Sequence, residues 1–139
     1  MCESVNAGKF HHIGYAVRNI SASEEAFTSL GAVFDRRVTD KDRNLEFSFG
    51  HMGECMIELV SPYDIKEKCA VTGYIEKQQC SPYHVCFTTD NIEIEISRLR
   101  KKGFRQVGNI INSDIYGYTT TGTFMYSLGT GLIEIVMEQ

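Results

Sequence analysis

The feature that most constrains this chain is a repeat. The segment His12-Ile13-Gly14-Tyr15-Ala16-Val17-Arg18-Asn19-Ile20 is similar to His84-Val85-Cys86-Phe87-Thr88-Thr89-Asp90-Asn91-Ile92, an offset of 72 residues that also carries Gly31 to Gly103. Met56-Ile57-Glu58-Leu59-Val60 is similar to Leu132-Ile133-Glu134-Ile135-Val136 at an offset of 76, so loops between the motifs absorb four residues. Self-similarity at such a period marks one supersecondary unit used twice. A chain of 139 residues holds one well-cored domain or two half-size modules that share an interface, but not two independent domains.

The hydrophobic periodicity predicts the same order in each half: strand, helix, strand, strand, strand. In the first half the elements fall at 10 to 17, 22 to 30, 32 to 39, 45 to 50 and 54 to 60; in the second they fall at 82 to 88, 91 to 102, 104 to 110, 116 to 127 and 131 to 137. Ser21, with Glu24 three residues on, is expected to cap the first helix, and Gly31 and Gly103 suit helix ends. The expected fold class is α+β: a single domain over 1–139 made of two tandem βαβββ modules, 9–60 and 81–137. Residues 61–80 are expected to form a linker and hinge with a short helix of its own.

Alternation along the strands decides which side chains can meet. His12, Gly14 and Ala16 point one way and Ile13, Tyr15 and Val17 the other, and His84, Cys86 and Thr88 repeat that division against Val85 and Phe87. Each histidine therefore opens a strand face lined by small or polar groups. Glu58 and Glu134 interrupt otherwise apolar final strands, where an ionised carboxylate is costly unless compensated. If an approximate two-fold axis relates the modules, His12, Glu58, His84 and Glu134 converge on one centre. Two imidazoles and two carboxylates suit a borderline divalent ion and leave room for water or a chelating substrate. Spacing alone does not identify the metal.

The remaining polar candidates are weaker. His11 points away from His12 and is expected at the surface or in packing, and His51 is expected in a glycine-flanked turn. Glu46 shares a strand face with Ser48, opposite Leu45, Phe47 and Phe49; it is either an exposed strand glutamate or a base at the site. Cys86 alternates with His84 and so could border the site, although a small buried hydrophobe is the expected role.

A net charge of −4 argues against a general affinity for nucleic acid or an anionic membrane. The one dense basic run, Arg98, Arg100, Lys101 and Lys102, falls at a helix end, where cations complement the helix dipole and face water. Apolar runs are too short to span a bilayer, and the start MCESVNAG lacks the regions of a signal peptide. Five cysteines without CxxC spacing fit a reducing compartment, and a cytoplasmic location is expected.

HHIGYAVRNI, MIELVSP, SPYHVCFTTDNI and GLIEIVMEQ, in that order and spacing, resemble the successive signatures of the glyoxalase and methylmalonyl-CoA epimerase branch of the vicinal-oxygen-chelate superfamily. The resemblance covers roughly residues 9 to 137. It implies paired βαβββ modules forming a cup-shaped mixed sheet around one divalent ion, of zinc, cobalt, nickel or manganese, with the metal positions at His12, Glu58, His84 and Glu134. The IELVSP segment, the RKKGF helix ending and the GTGLIEI ending are closer to epimerases than to glyoxalase I. The chemistry implied is proton abstraction next to the carbonyl of a small-molecule thioester or hemithioacetal, with Glu134 as ligand and base and Glu46 or Glu58 as its counterpart. A homodimer is implied as well. Two alternatives share the fold: an antibiotic-binding or antibiotic-inactivating protein, and an Fe(II) dioxygenase that leaves Glu58 unused.

Overall fold

The structure is a computed structural model and describes residues 8–139. It contains two compact units: residues 12–83 form one, and residues 84–139 together with the short segment ending at His11 form the other.

The first unit is built from β1 (Phe10–Val17, whose first two residues belong to the second unit), α1 (Ile20–Ser29), β2 (Val33–Asp40), β3 (Leu45–Met52), β4 (Cys55–Pro62) and α2 (Thr72–Ile75). Its strands lie in the order β2-β3-β4-β1, with β1 parallel to β4 and the other pairs antiparallel. Asn19, not Ser21, caps α1: its backbone is extended and its side-chain oxygen accepts the Ala22 N–H at 2.9 Å. Asn at this position satisfies a donor that the first helical turn leaves over. Ser21 lies inside the first turn, and its hydroxyl accepts from the Arg37 guanidinium at 2.9 Å. At the other end Gly31, with φ of 105°, supplies the left-handed residue that turns the chain out of the helix.

One face of this sheet packs on α1 through Val17, Ile20, Ala32, Ile57 and Leu59, with Ile13, Tyr15, Phe27 and Phe34 around them. Each of the fully buried aliphatic side chains contributes roughly 1.5–3 kcal/mol by leaving water. The opposite face carries His12, Gly14, Ala16, Glu58 and Val60, and the register Phe49↔Glu58 adds Leu45, Phe47 and Phe49 to it.

The second unit repeats the plan with β5 (Cys80–Thr88, which begins in the first unit), α3 (Ile92–Lys101), β6 (Arg105–Ser113), β7 (Thr120–Ser127) and β8 (Gly131–Glu138). Its order is β5-β8-β7-β6, with β5 parallel to β8. Asn91 caps α3 as Asn19 caps α1, accepting the Ile94 N–H at 3.1 Å, and Gly103 has φ of 96°. Ile92, Ile96 and Leu99 of the helix pack on Met125, Ile133 and Ile135. The expected strand over 116 to 127 begins only at Thr120, because Asp114 to Tyr118 make a turn in which the Gly117 N–H reaches the Asp114 carbonyl and Gly117 has φ of 90°. Strand β6 runs on to Ser113 across a bulge between Val107 and Ile111.

The linker is fastened rather than loose. Val71 and Ile75 are buried, and the Arg18 guanidinium donates to the Ile75 carbonyl at 3.1 Å. Asn44, at φ of 54°, donates to the carbonyls of Asp64 and Glu67 and accepts the Asp64 N–H at 2.7 Å. These contacts hold residues 61–80 to the first unit, so its compact body ends at Tyr83 instead of at residue 60. In the second unit the Thr88 N–H donates to the Lys9 carbonyl at 2.8 Å, which brings in the start of β1.

Candidate functional site

Each unit presents one histidine–glutamate pair, built by the same local geometry. In the first unit the parallel register sets Gly14 beside Glu58, so no side chain stands between Glu58 and His12 two residues earlier on the same face. The His12 Nε2 lies 2.7 Å from Glu58 Oε2, and the two side chains are 0% and 4% exposed. In the second unit the register sets Cys86 beside Glu134, and the His84 Nε2 lies 3.4 Å from Glu134 Oε1, with exposures of 0% and 16%. A buried carboxylate needs a partner of this kind. Phe124, which pairs with Glu134 across β7 and β8, meets the His84 ring edge-on, with centroids 5.2 Å apart and planes at 89°. That contact holds the imidazole in one orientation.

His12, Glu58, His84 and Glu134 are candidate metal-binding residues. The donor set passes a simple test: two ligands each about 2.1 Å from one ion stand about 3.0–3.4 Å apart at angles between square and tetrahedral. The His84–Glu134 separation of 3.4 Å matches that spacing, and the His12–Glu58 separation of 2.7 Å is that of a direct hydrogen bond, a few tenths shorter. Imidazole nitrogen and carboxylate oxygen together suit zinc and its divalent neighbours.

Glu46 is placed elsewhere. The β3–β4 register is continuous, so Glu46 and Ser48 lie on the face opposite Phe49 and Glu58. There Arg37 of β2 reaches Glu46 at 3.5 Å and forms a tighter pair with Glu24 of α1, whose carboxylate also accepts from the Ser48 hydroxyl at 2.6 Å. The bond from Arg37 holds the Glu24 carboxyl below its ordinary range, against the opposing effect of burial. Glu46 is thus part of the tie between α1 and the sheet, and the expectation that it is a base at the His12–Glu58 face is not met by its position.

Of the other histidines, His51 differs from expectation, whereas His11 takes the packing role expected of it. His51 is an exposed residue of β3 and not part of a turn, because the hairpin pairs it with both Val33 and Met56. His11 is 6% exposed at its side chain; its Nε2 lies 2.9 Å from the Tyr118 hydroxyl and 3.4 Å from Glu138, and its ring packs edge-on against Tyr116. Burial, followed by the Glu138 charge, pushes the Tyr118 hydroxyl up to about 12. Cys86 is buried, as expected of a small hydrophobe. The basic run ends α3 as expected, and Arg98 pairs with Glu95 one turn earlier. Among the described residues no helix is long and apolar enough to cross a membrane.

Three kinds of comparison bear on this geometry. A family model described as the glyoxalase/bleomycin resistance protein/dioxygenase superfamily matches residues 11–121. The chain is 22% identical over 136 residues to a protein named mitochondrial methylmalonyl-CoA epimerase from Homo sapiens, covering 96% of this chain and 75% of that one; the Bos taurus protein of the same name matches to the same extent. Among solved structures, a methylmalonyl-CoA epimerase from Mycobacterium tuberculosis superposes with a TM-score of 0.80 at 18% identity, over 100% of this chain and 93% of that one. A hypothetical protein from Bacillus halodurans superposes with a TM-score of 0.81 at 20% identity, over 95% of each chain. A methylmalonyl-CoA epimerase in complex with methylmalonyl-CoA and an ammonium ion gives 0.77 at 17% identity, over 96% of each chain. The repeated βαβββ plan is the fold of those structures, and the chain belongs to the glyoxalase/bleomycin resistance protein/dioxygenase superfamily.

Proposed function

We propose that this chain is a metal-dependent enzyme of the methylmalonyl-CoA epimerase type, which removes the proton next to the carbonyl of an acyl-CoA thioester and returns it. The observation that carries the reading is the recurrence of a buried histidine–glutamate pair at repeat-equivalent positions, His12 with Glu58 and His84 with Glu134. In this reading all four side chains hold one divalent cation, of zinc, cobalt, nickel or manganese. A structural role for one such pair is ordinary; two related by the repeat are better explained by a shared ligand. The two relatives named as epimerases and the superposition on epimerase structures favour a CoA thioester over a glutathione hemithioacetal.

When bound, a divalent ion supplies positive charge to the oxygen of the developing enolate, worth several kcal/mol to a weak carbon acid. The side chains divide the rest of the work. His12, His84 and Glu58 are enclosed and hold fixed positions, with Phe124 locking the His84 ring. Glu134, at 16% exposure, is the less enclosed of the two carboxylates, and in this reading it takes the proton from the carbon next to the thioester carbonyl. Glu58, at 4% exposure, is held as a ligand. A homodimer and a cytoplasmic location belong to the same reading; the free cysteines Cys55, Cys69 and Cys80 support a reducing compartment.

The test is incubation of the metal-loaded protein with methylmalonyl-CoA in deuterium oxide, following loss of the C2 proton signal, with the hemithioacetal of methylglyoxal and glutathione in parallel. Exchange above the buffer rate on the CoA thioester is expected. Isomerisation of the hemithioacetal alone would move the assignment to the glyoxalase I type, and inactivity on both would remove it.

A further inference from the structure

The two repeats differ at one corner of the face that carries the histidine–glutamate pairs. The corner lies two residues before each glutamate, toward the hairpin that leads into the last strand. In the first unit it holds Met56, His51 and Val33, side by side on β4, β3 and β2. In the second it holds Leu132, Tyr126 and Arg105, side by side on β8, β7 and β6. The offset that carries Glu58 to Glu134 also carries Met56 to Leu132, so Arg105 stands at the place that Val33 fills in the other repeat. The second unit thus adds a cation and a phenol ring to this face.

Arg105 is exposed, yet it is held in place. Its guanidinium carbon lies 5.9 Å from the centre of the Tyr126 ring, within the range of a cation–π contact. A guanidinium seated on a ring keeps its in-plane N–H donors for an anion. Among the described residues no carboxylate pairs with Arg105, whereas Arg37, Arg43 and Arg98 each have one. A charge on an edge strand ordinarily guards that edge against pairing with another chain, but such a guard needs only water around it and no ring beneath it. Between Arg105 and Glu134 the face is apolar: Phe124 and Val107 continue the line of Glu134 across β7 and β6, and Leu132 and Tyr126 lie in the line of Arg105. Val107 is 44% exposed on this face. With strands ~4.8 Å apart and ~3.3 Å per residue, Arg105 stands about 12 Å from Glu134, backbone to backbone.

We propose that this corner binds the phosphate of the thioester's carrier: Arg105, held over Tyr126, takes the phosphate at the far end of a pantetheine arm that runs from Glu134 along Val107 and Tyr126, so the chain prefers phosphorylated carriers to uncharged ones. This rests on the thioester reading above. The arm from sulfur to phosphate, with its two amides, equals about four to five residues of extended chain, ~13–16 Å, which spans the separation and part of the reach of the Arg105 side chain. Its methylene and amide groups suit a strip of half-exposed apolar side chains, and the phosphate meets a fork of donors that no carboxylate occupies. Val33, at the same corner of the first unit, offers an anion nothing, which assigns the arm to the second unit.

The experiment uses the methylmalonyl thioesters of coenzyme A, of 4′-phosphopantetheine and of pantetheine, with calorimetric binding and deuterium exchange measured on the wild type, Arg105→Met and Arg105→Lys. A thermal melt and sedimentation on each protein report the fold and the assembly. Arg105→Met keeps the apolar stem and removes the charge; it should weaken binding and raise KM for both phosphorylated thioesters by about tenfold, with kcat changed by less than about twofold. The pantetheine thioester should be handled by Arg105→Met within about twofold of wild type, because it has no phosphate to lose. Arg105→Lys should recover part of the loss, and added salt should weaken wild-type binding of the CoA thioester more than that of Arg105→Met. An equal loss on all three thioesters, no loss on any, or a changed sedimentation with unchanged binding would overturn the inference; so would a phosphopantetheine thioester that behaves like the pantetheine one. In each of those cases exchange of methylmalonyl-CoA by the wild type leaves the thioester reading standing. A wild type that binds the CoA thioester through Arg105 without exchanging it keeps the phosphate corner and removes the proton transfer, and one that neither binds nor exchanges any of the three removes both.

Discussion

Removing the metal, and then one histidine from each unit, should give two different losses of stability. An ion held at a hundredfold excess over its dissociation constant stabilises the folded chain by about 2.7 kcal/mol. With an unfolding entropy of ~2.1 cal/mol/K per residue, the 139 residues give about 0.29 kcal/mol/K, so chelation should lower the melting temperature by about 9 °C. His12→Ala and His84→Ala should each abolish most of that metal-dependent shift. In the chelated state, however, they should differ. His12→Ala removes the imidazole 2.7 Å from a carboxylate that is 4% exposed, and breaking a buried pair costs about 3–5 kcal/mol. Glu134 is 16% exposed and 3.4 Å from its histidine, so water replaces part of what His84→Ala removes, and the cost falls to about 1–3 kcal/mol. The gap of about 2 kcal/mol corresponds to a chelated His12→Ala protein melting about 7 °C below the chelated His84→Ala protein. Differential scanning calorimetry with EDTA and with added zinc measures both quantities. A full zinc-induced shift in either variant would refute the assignment of ligands, and equal melting of the two chelated variants would refute the difference in enclosure.

The caps and the buried phenol give further tests. Asn19→Ala and Asn91→Ala should each cost about 1 kcal/mol in urea unfolding, while Ser21→Ala costs less than half of that because Ser21 is not the cap. Tyr118 ionises more readily unfolded than folded, so its contribution is intact below the ordinary tyrosine range and is lost as pH rises from about 10 to about 12. Ultraviolet titration of Tyr118→Phe should lack a phenolate that appears near pH 12 in the wild type, and an unchanged titration there would contradict the burial of that hydroxyl.

Much of this was legible in the sequence because the repeat supplies its own control. One His on a strand or one Glu in an apolar run says little; the second copy, with the same alternation, separates the buried face from the helix-facing one in both units. The same offset pairs Asn19 with Asn91, and this was the available signal for the caps; the Ser21/Glu24 spacing suggested a capping box instead, but Glu24 is occupied by Arg37 and Ser48. What the sequence hid depends on register between strands. The parity of Glu46 relative to Glu58 follows from the Phe49↔Glu58 pairing, which no local pattern states. The His11 contacts to Tyr118 and Glu138 join residues more than 100 positions apart.

The central claim, that Glu134 transfers a proton at a metal-dependent site, is tested most directly by deuterium incorporation into methylmalonyl-CoA by Glu134→Gln, normalised to bound metal. Glutamine keeps an oxygen ligand at that position but loses the basic carboxylate. The normalised exchange rate should fall by about 100-fold or more, beyond any loss of metal occupancy. Exchange at the wild-type rate by the metal-loaded Glu134→Gln protein would contradict the account.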